Sequence, residues 1–284
     1  MKERAAIYFG EFLGTFLLVF IGTSAVAVAV LFNALMGLVQ VAAVWGLGVT
    51  LAIYATRHLS CAHLNPAVSL GMVLAGRMHP LLLPYWASQL LGSIAAGATV
   101  LLVFHGNIAG YESANAIIRG SPESMRTAMM FGEYFPNPGV PIPWFKVSIG
   151  SAMLVEGIGT FILVLMIFLL TEGCNVGRPS EGSSPIFVGG TVSAIIAITA
   201  PLTQAGINPA RDFGPRIISF LAGWGSIAIP GPNGGFFWVY IAAPLLGGAA
   251  AAACFRFIIA PLMSARTDMV ICTCESDNGE RSKG

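Results

Sequence analysis

Six long apolar stretches, separated by shorter polar segments, run along the chain. They cover residues 7–31, 35–55, 81–104, 147–170, 186–202 and 236–259. A helix needs about 20 largely apolar residues to cross the hydrocarbon core of a bilayer. The pattern therefore predicts an all-α membrane protein with six transmembrane helices.

Two further apolar pieces, residues 66–74 and 209–221, are too short to cross a bilayer. Each follows an Asn and begins with Pro-Ala, in the triplets Asn65-Pro66-Ala67 and Asn208-Pro209-Ala210. Asn is a favoured helix N-cap, and Pro fits the first helical position because no backbone N–H is needed there. Short apolar pieces at corresponding places in two halves predict two re-entrant half-helices at a pore.

The two halves also match at the start of the first and fourth predicted helices. Residues 11–19 and 156–164 share Glu, Gly, Thr, Phe, Leu and Val at equivalent positions. We expect a single transmembrane channel domain over residues 1–284, built from repeats at about residues 5–105 and 144–262. Because each repeat crosses three times, the second enters from the opposite face, so the repeat is inverted.

Lysines and arginines in short loops predict the orientation of the helices. On a six-helix path, one side carries Lys2, Arg4, Arg57, Arg77, Arg178 and Arg266. We therefore place both termini in the cytoplasm. Residues 106–143 then form an extracellular loop, and residues 264–284 form a cytoplasmic tail.

Composition agrees with a membrane location and argues against several functions. The chain is 56% hydrophobic and 10% charged, whereas soluble domains carry about 25% charged residues. Its net charge of +1 gives no indication of a nucleic-acid partner. The five cysteines lack the spacing of a disulfide or metal framework, and no nucleophile–base pair is evident. We therefore expect no enzymatic activity, no metal and no cofactor.

The inverted repeat brings the two half-helices together tip to tip, so that Asn65 meets Asn208 near the middle of the bilayer. Their positive helix ends form a barrier to cations at that point. The irregular segments before the triplets offer a ladder of backbone carbonyls, from Cys61, Ala62, His63, Leu64, Gln204, Gly206 and Ile207. Such a path suits a small, neutral solute that forms hydrogen bonds.

These motifs identify a family resemblance over nearly the whole chain. The sequence resembles the aquaglyceroporins, the glycerol-facilitator branch of the major intrinsic protein (aquaporin) family. The matching segments are Trp45-Gly46-Leu47-Gly48-Val49, Ala62-His63-Leu64-Asn65-Pro66-Ala67-Val68, Asn208-Pro209-Ala210-Arg211-Asp212-Phe213-Gly214-Pro215, Ile118-Arg119-Gly120-Ser121 with Glu123-Ser124, Leu221-Ala222-Gly223-Trp224-Gly225 and Pro244-Leu245.

The resemblance implies a role for several residues. It places the narrowest constriction, the selectivity filter, at Trp45, Ile196, Ala205 and Arg211, and makes Asp212 a marker of the glycerol type. Glu11 and Glu156 would each accept backbone N–H bonds from a re-entrant loop and brace it. It also implies a passive homotetramer with one pore per subunit, in a plasma or bacterial inner membrane, without a cofactor.

The filter departs from the usual bacterial pattern. Bacterial glycerol facilitators typically have Gly and Phe where this chain has Ile196 and Ala205. The set is more similar to plant nodulin-26-type channels, which pass glycerol and other small neutral solutes. Cys61 also replaces a Gly before Ala-His.

Several alternatives stay open from the residues. Within the class, the channel could be mainly water-selective, or it could pass urea or metalloid hydroxides. An ion-coupled secondary transporter shares inverted repeats and broken helices, but Arg211 and two Asn donors argue against it. Arg211 could form an ion pair with Asp212, and His63 could act as a gate or be an oriented loop residue.

Overall fold

The computed structural model describes residues 2–35, 37–79, 82–140, 142 and 144–265. Within these ranges, six helical segments are long and apolar enough to cross a membrane, which confirms the predicted number of crossings. They are Arg4–Phe32, Leu38–Ser60, Leu82–Ala114, Ile149–Thr171, Ser184–Thr203 and Phe237–Ser264. The predicted tail lies outside the described residues from residue 266 onward.

The helices follow the predicted order. They are α1 (Lys2–Phe32), α2 (Leu38–Ser60), α3 (Pro66–Leu74), α4 (Leu82–Ala114), α5 (Met125–Ala128), α6 (Ile149–Thr171), α7 (Ser184–Thr203), α8 (Pro209–Ser219), α9 (Ala243–Cys254) and α10 (Ala260–Ser264). The π-helical turns Phe237–Ala242 and Phe255–Ile259 flank α9 and complete the sixth crossing. The half-helices α3 and α8 both begin at the Pro of their triplet, as the capping argument predicts.

One helix end differs clearly from the prediction. Helix α4 continues to Ala114, whereas the apolar pattern ends at residue 104, so the outer connection begins at residue 115 instead of 106. At about 1.5 Å per residue, α4 is longer than the hydrocarbon core is thick. Its last turns contain exposed polar residues such as His105 and Asn107. The hydropathy of a segment indicates which part of it lies in the membrane. A helix can continue beyond that part into water.

Helix packing follows the same scheme in both halves. Helix α1 packs against α2 and α4, and α6 packs in the same way against α7 and α9. Helices α2 and α7 contact each other and join the halves. Each half-helix rests on the opposite half, because α8 packs against α4 and α3 packs against α9. The repeats therefore hold each other's re-entrant segments in place.

Glycines in corresponding helices of the two halves permit two of these close contacts. A Cβ atom built on Gly92 would overlap the backbone oxygen of Phe12, where α4 meets α1. A Cβ atom on Gly247 would overlap the backbone oxygen of Gly157, where α9 meets α6. Small residues at such positions let helix backbones approach closely inside a membrane, where packing drives association.

We expect Gly92→Ala to destabilise the protein by about 1–3 kcal/mol, the usual cost of an overpacked site. The added methyl group can be accommodated only if α4 moves away from α1, since the atom it meets belongs to the backbone. The measurement is the unfolding temperature of the purified protein in detergent. Gly110→Ala on the same helix is the control, because its Cβ atom would meet nothing within 4 Å. Equal unfolding temperatures for the two variants would contradict this packing argument.

Candidate functional site

The two Asn-Pro-Ala triplets start their helices with side-chain caps. Asn65 Oδ1 accepts a hydrogen bond from the backbone N–H of Ala67 at 2.8 Å. Asn208 Oδ1 accepts from the N–H groups of Ala210 and Arg211, at 3.1 and 3.2 Å. The caps satisfy backbone donors that the first turn of a helix otherwise leaves unpaired.

The same two asparagines also join the half-helices to each other. Asn65 Nδ2 donates to the carbonyl of Ile207 at 2.9 Å, and Asn208 Nδ2 donates to the carbonyl of Leu64 at 2.8 Å. The helix tips therefore meet, and each amide binds the loop before the opposite triplet. The carbonyls of Leu64 and Ile207, two of the predicted pore acceptors, each use one acceptor position within the protein. A carbonyl oxygen has a second lone pair, so each can still accept another hydrogen bond.

The re-entrant loops have an unusual backbone that repeats in both halves. The φ angles of Cys61, Ala62 and Leu64 are 64°, 53° and 53°, in the left-handed region. In the second loop Gln204, Ala205 and Ile207 have φ angles of 59°, 62° and 42°. Such angles cost about 1–2 kcal/mol each for residues other than glycine. At membrane depth this backbone is tolerated only where protein or a water-filled path surrounds it.

Glu11 supports the first loop. Its side chain is fully buried, and its carboxylate accepts the N–H groups of His63 and Leu64 at 3.0 and 2.8 Å. Gln89 Nε2 adds a third hydrogen bond to Glu11, at 2.7 Å, and contacts Ser69 Oγ at 3.0 Å. Gln89 was not among the predicted site residues, although a polar residue inside an apolar crossing is itself a signal of such a role.

Glu156 makes the equivalent contacts in the second loop. It is also fully buried, and it accepts the N–H groups of Gly206 and Ile207 at 2.9 and 2.6 Å. Nearby, the Tyr240 hydroxyl donates to the carbonyl of Thr203 at 3.1 Å. Two buried carboxylates in equivalent positions therefore bind the backbone donors of the two loops.

Three neighbouring cavities lie along the protein and share lining residues where they adjoin. A wide cavity of about 550 Å³ opens on the side of the outer connection, and one of about 310 Å³ opens on the side of the chain ends. A narrow cavity of about 60 Å³ lies between them and is lined by both Asn65 and Asn208. The narrow cavity is lined by apolar side chains of the crossing helices, which include Leu18, Val49, Ile53, Leu163, Ile167 and Val192. It is also lined by the loop residues Ala62, His63, Leu64, Gly206 and Ile207.

The four predicted filter residues meet where the wide cavity narrows. Trp45, Ile196 and Arg211 line both the wide and the narrow cavity, and Ala205 lines the narrow one. All four are buried. The Arg211 guanidinium carbon lies 4.0 Å from the centre of the Trp45 ring. The junction therefore combines a charged hydrogen-bond donor with an aromatic surface.

Arg211 forms an ion pair, and its partner is Glu133 in the outer connection. The alternative partner, Asp212, instead binds Arg216 through two hydrogen bonds of 2.9 and 2.7 Å. On a helix, residues four apart share a face whereas adjacent residues do not, so Asp212 faces Arg216. Glu133 was missed because a loop sequence does not indicate which distant residue it contacts. Its position among Phe131, Tyr134 and other apolar loop residues was the available signal of burial.

Two of the motifs that carried the resemblance join in the outer connection. The Arg119 guanidinium carbon lies 4.1 Å from the centre of the Trp224 ring, and Arg119 pairs with Glu112 at 2.7 Å. Thr127 links the group, since its hydroxyl donates to Glu112 at 2.8 Å and accepts from Trp224 Nε1 at 3.0 Å. Close by, burial raises the pKa of the Tyr134 phenol to about 12, so that side chain is neutral at physiological pH. These contacts hold the connection that carries Glu133.

His63 lies at the inner end of the narrow cavity. Its Nδ1 atom is 3.2 Å from Ser69 Oγ, and its ring centre is 5.2 Å from that of Tyr85. The ring is therefore held on two sides, an arrangement that favours an oriented loop residue over a freely moving gate.

Six crossings, two half-helices that meet tip to tip and a row of adjoining cavities define a membrane channel. A model of the major intrinsic protein family matches residues 2–255, and the chain belongs to this family.

The alignments with similar proteins extend over most of the chain. It is 39% identical to the glycerol uptake facilitator protein of Pseudomonas aeruginosa, over 88% of this chain and 87% of that protein. It is 37% identical to the propanediol uptake facilitator PduF of Citrobacter freundii, over 95% of this chain and 96% of that protein. The X-ray structure of the aquaglyceroporin from Plasmodium falciparum superposes with a TM-score of 0.77 at 28% identity, over 92% of this chain and 99% of that one.

Proposed function

We propose that this protein is a passive channel for glycerol and related small neutral solutes, together with water. The observation that carries the proposal is the mixed lining of the narrow cavity, in which residues of the two loops lie beside apolar side chains of the crossing helices. A polyol likewise has a polar and an apolar part, since its hydroxyl groups form hydrogen bonds while its carbon chain does not. Two relatives named as facilitators of glycerol and propanediol uptake support this solute class.

The filter would select solutes by hydrogen bonding and shape. The Arg211 guanidinium would donate to solute hydroxyl groups, and the Trp45 ring would contact the carbon chain. Ala205 leaves space on one wall, while Ile196 narrows another. The loop carbonyls would then accept hydrogen bonds from the solute in succession. The solute could therefore move along the path while it keeps some of its hydrogen bonds at every step.

Ions would be excluded by charge at the centre of the path. The half-helices α3 and α8 point their N-terminal ends at the same place, and each end carries roughly half a positive charge. A cation would also lose its hydration shell beside an apolar wall. No coupling ion or cofactor is needed for this downhill movement.

We further propose that both chain ends lie in the cytoplasm and that the domain assembles as a homotetramer with one pore per subunit. The orientation is supported by Arg57, Arg77, Arg178 and Arg256, which the helix order puts on the side of the chain ends, as the positive-inside rule requires. The tetramer rests on family resemblance. Cross-linking in native membranes tests the assembly, and the reactivity of cysteines placed in the outer connection tests the orientation.

We expect Ala205→Trp to abolish glycerol flux, because an indole would fill the narrow cavity that Ala205 lines. Stopped-flow light scattering on proteoliposomes measures this, with glycerol compared against an impermeant sugar as the osmolyte. The wild-type vesicles should shrink and then re-swell in glycerol, and the variant vesicles should not re-swell faster than empty ones. Ala109→Trp on the exposed outer end of α4 is the matched control.

Other outcomes of this assay would support other functions. Rapid shrinkage of wild-type vesicles without re-swelling would indicate a mainly water-selective channel. Uptake that saturates and requires an ion gradient would indicate a secondary transporter. The same vesicles challenged with urea or arsenous acid test whether those solutes also pass.

A further inference from the structure

We propose that Glu133 is a positioning residue that sets the selectivity of the filter. Its carboxylate holds the Arg211 guanidinium and balances its charge where the wide cavity narrows. The consequence for polyol flux rests on the function proposed above, whereas the consequence for cation leak does not.

Glu133 reaches the filter from outside the membrane-spanning helices. It lies in the connection between α5 and α6, yet it is only 4% exposed. It lines the wide cavity together with Arg211, and its Oε1 atom is paired with Arg211 Nη1. Among the described residues, Arg211 has no other salt-bridge partner. Glu133 is therefore the carboxylate that pairs directly with the filter arginine.

The backbone of Glu133 is fixed by the charged pair next to the filter. Its N–H donates to Asp212 Oδ1 at 2.7 Å, and its carbonyl accepts from Arg216 Nη2. The following N–H, of Tyr134, donates to Gln204 Oε1 at 2.8 Å. Asp212, the marker of the glycerol type, therefore helps to hold the outer connection in place. These contacts keep the Glu133 carboxylate from turning away from Arg211.

The four charged side chains form a buried group whose formal charge is zero. Arg211 and Arg216 balance Glu133 and Asp212, and all four are at most 4% exposed. Removing one member of a buried ion pair leaves an uncompensated charge, which is far less favourable than the pair itself. Loss of Glu133 would therefore make the filter positive. Loss of Arg211 would leave a negative charge at the same place, and this would attract cations.

The pairing should also affect how firmly a solute binds. A guanidinium that is already paired with a carboxylate has a weaker field to offer a hydroxyl group. Conduction requires binding that is weak enough for the solute to leave. In the wild-type filter, pairing with Glu133 thus weakens the binding of the solute by Arg211 and favours rapid passage of the solute.

The test compares Arg211→Gln, Glu133→Gln and the double variant in proteoliposomes that contain a sodium-sensitive dye. An unpaired carboxylate in the filter would attract a cation there, so Arg211→Gln should leak sodium roughly tenfold faster than wild type or more, the effect of about 1.4 kcal/mol of attraction. The double variant should return the leak to within about threefold of wild type. Glu133→Gln alone should not leak, and it should slow glycerol and water flux by about fivefold, the effect of roughly 1 kcal/mol tighter binding.

Glu123→Gln is the matched control, since it makes the same change at an exposed site of the same connection. The Ser121 hydroxyl donates to Glu123 at 2.6 Å and lowers the pKa of that carboxyl, so the control also removes a negative charge. It should match wild type in leak and in flux. Equal sodium leak in Arg211→Gln and the double variant would overturn the proposal, as would equal glycerol flux in Glu133→Gln and Glu123→Gln.

A conservative variant guards against failure of the arginine variants to fold. Glu133→Asp keeps the charge but moves it back by one methylene group, so its flux should lie between wild type and Glu133→Gln. Flux in Glu133→Asp that is as slow as in Glu133→Gln would overturn the role of the charge. If wild-type vesicles pass no glycerol, the solute proposal fails, while the sodium leak of the single and double variants still decides the role of Glu133.

Discussion

Glu156→Ala is expected to abolish solute flux and to lower stability by several kcal/mol. The substitution removes the acceptor of two buried backbone N–H groups, those of Gly206 and Ile207. A buried donor left without a partner costs about 1–3 kcal/mol. The loop also contains left-handed residues, so it would relax once its support is lost. The expected result is a lower unfolding temperature and glycerol flux reduced to that of empty vesicles.

Two further variants show whether the Glu156 side chain braces the second loop through its acceptor oxygens or only fills buried space. Glu156→Gln keeps an acceptor oxygen and nearly the same volume, so it should retain part of the flux. Glu123→Ala removes an exposed carboxylate and should leave both unfolding temperature and flux unchanged. Normal glycerol flux and normal stability in Glu156→Ala would refute the bracing role. The comparison is direct because all variants are measured in the same vesicle assay.

The start of each half-helix could be predicted from the sequence because its determinants are local. Asn65 and Asn208 cap helices that begin at the next residue, and Pro fixes the first turn. The crossings were also predictable, since a bilayer selects a long apolar helix whatever its neighbours are. The end of α4 at Ala114 was not, because the apolar pattern stops at the membrane boundary while backbone hydrogen bonding continues.

The charged group around the proposed filter could be predicted only in part from the sequence. The sequence identifies Arg211 and Asp212 as important, but their adjacency suggests a pair that the helix geometry prevents. Glu133 lies 78 positions before Arg211 in the chain (211 minus 133), and only the folded outer connection brings the two together. Ionic partners of this kind depend on tertiary structure, so neither periodicity nor a short motif reveals them.

The side-chain amide groups of Asn65 and Asn208 also form contacts that the sequence does not predict. The inverted repeat predicts that Asn65 and Asn208 meet, and the structure brings their helix tips together. It also has each Nδ2 atom donate to the loop carbonyl before the opposite triplet, a contact that depends on distances between the two loops. Each asparagine therefore has two separable tasks, which are capping its own helix and binding the other loop.

Substitutions at Asn208 should separate these two tasks. Asp is as good an N-cap as Asn, so Asn208→Asp should keep the hydrogen bonds to Ala210 and Arg211. It cannot donate to the Leu64 carbonyl, and it would place an oxygen against an oxygen at the centre of the path. We expect a folded protein whose glycerol flux falls roughly tenfold or more, since a lost buried donor costs at least about 1.4 kcal/mol.

Asn208→Ala loses the cap as well as the donor. It should therefore be less stable than Asn208→Asp by about 1 kcal/mol, the usual contribution of an N-cap, and it should also lose flux. Ser148→Ala is the control for capping alone, because Ser148 caps α6 at an exposed site through the N–H of Ser151, at 3.1 Å. It should lower the unfolding temperature while glycerol flux stays normal. Wild-type glycerol flux in Asn208→Asp would mean that the donated hydrogen bond is dispensable, and that the triplets serve the path through helix capping alone.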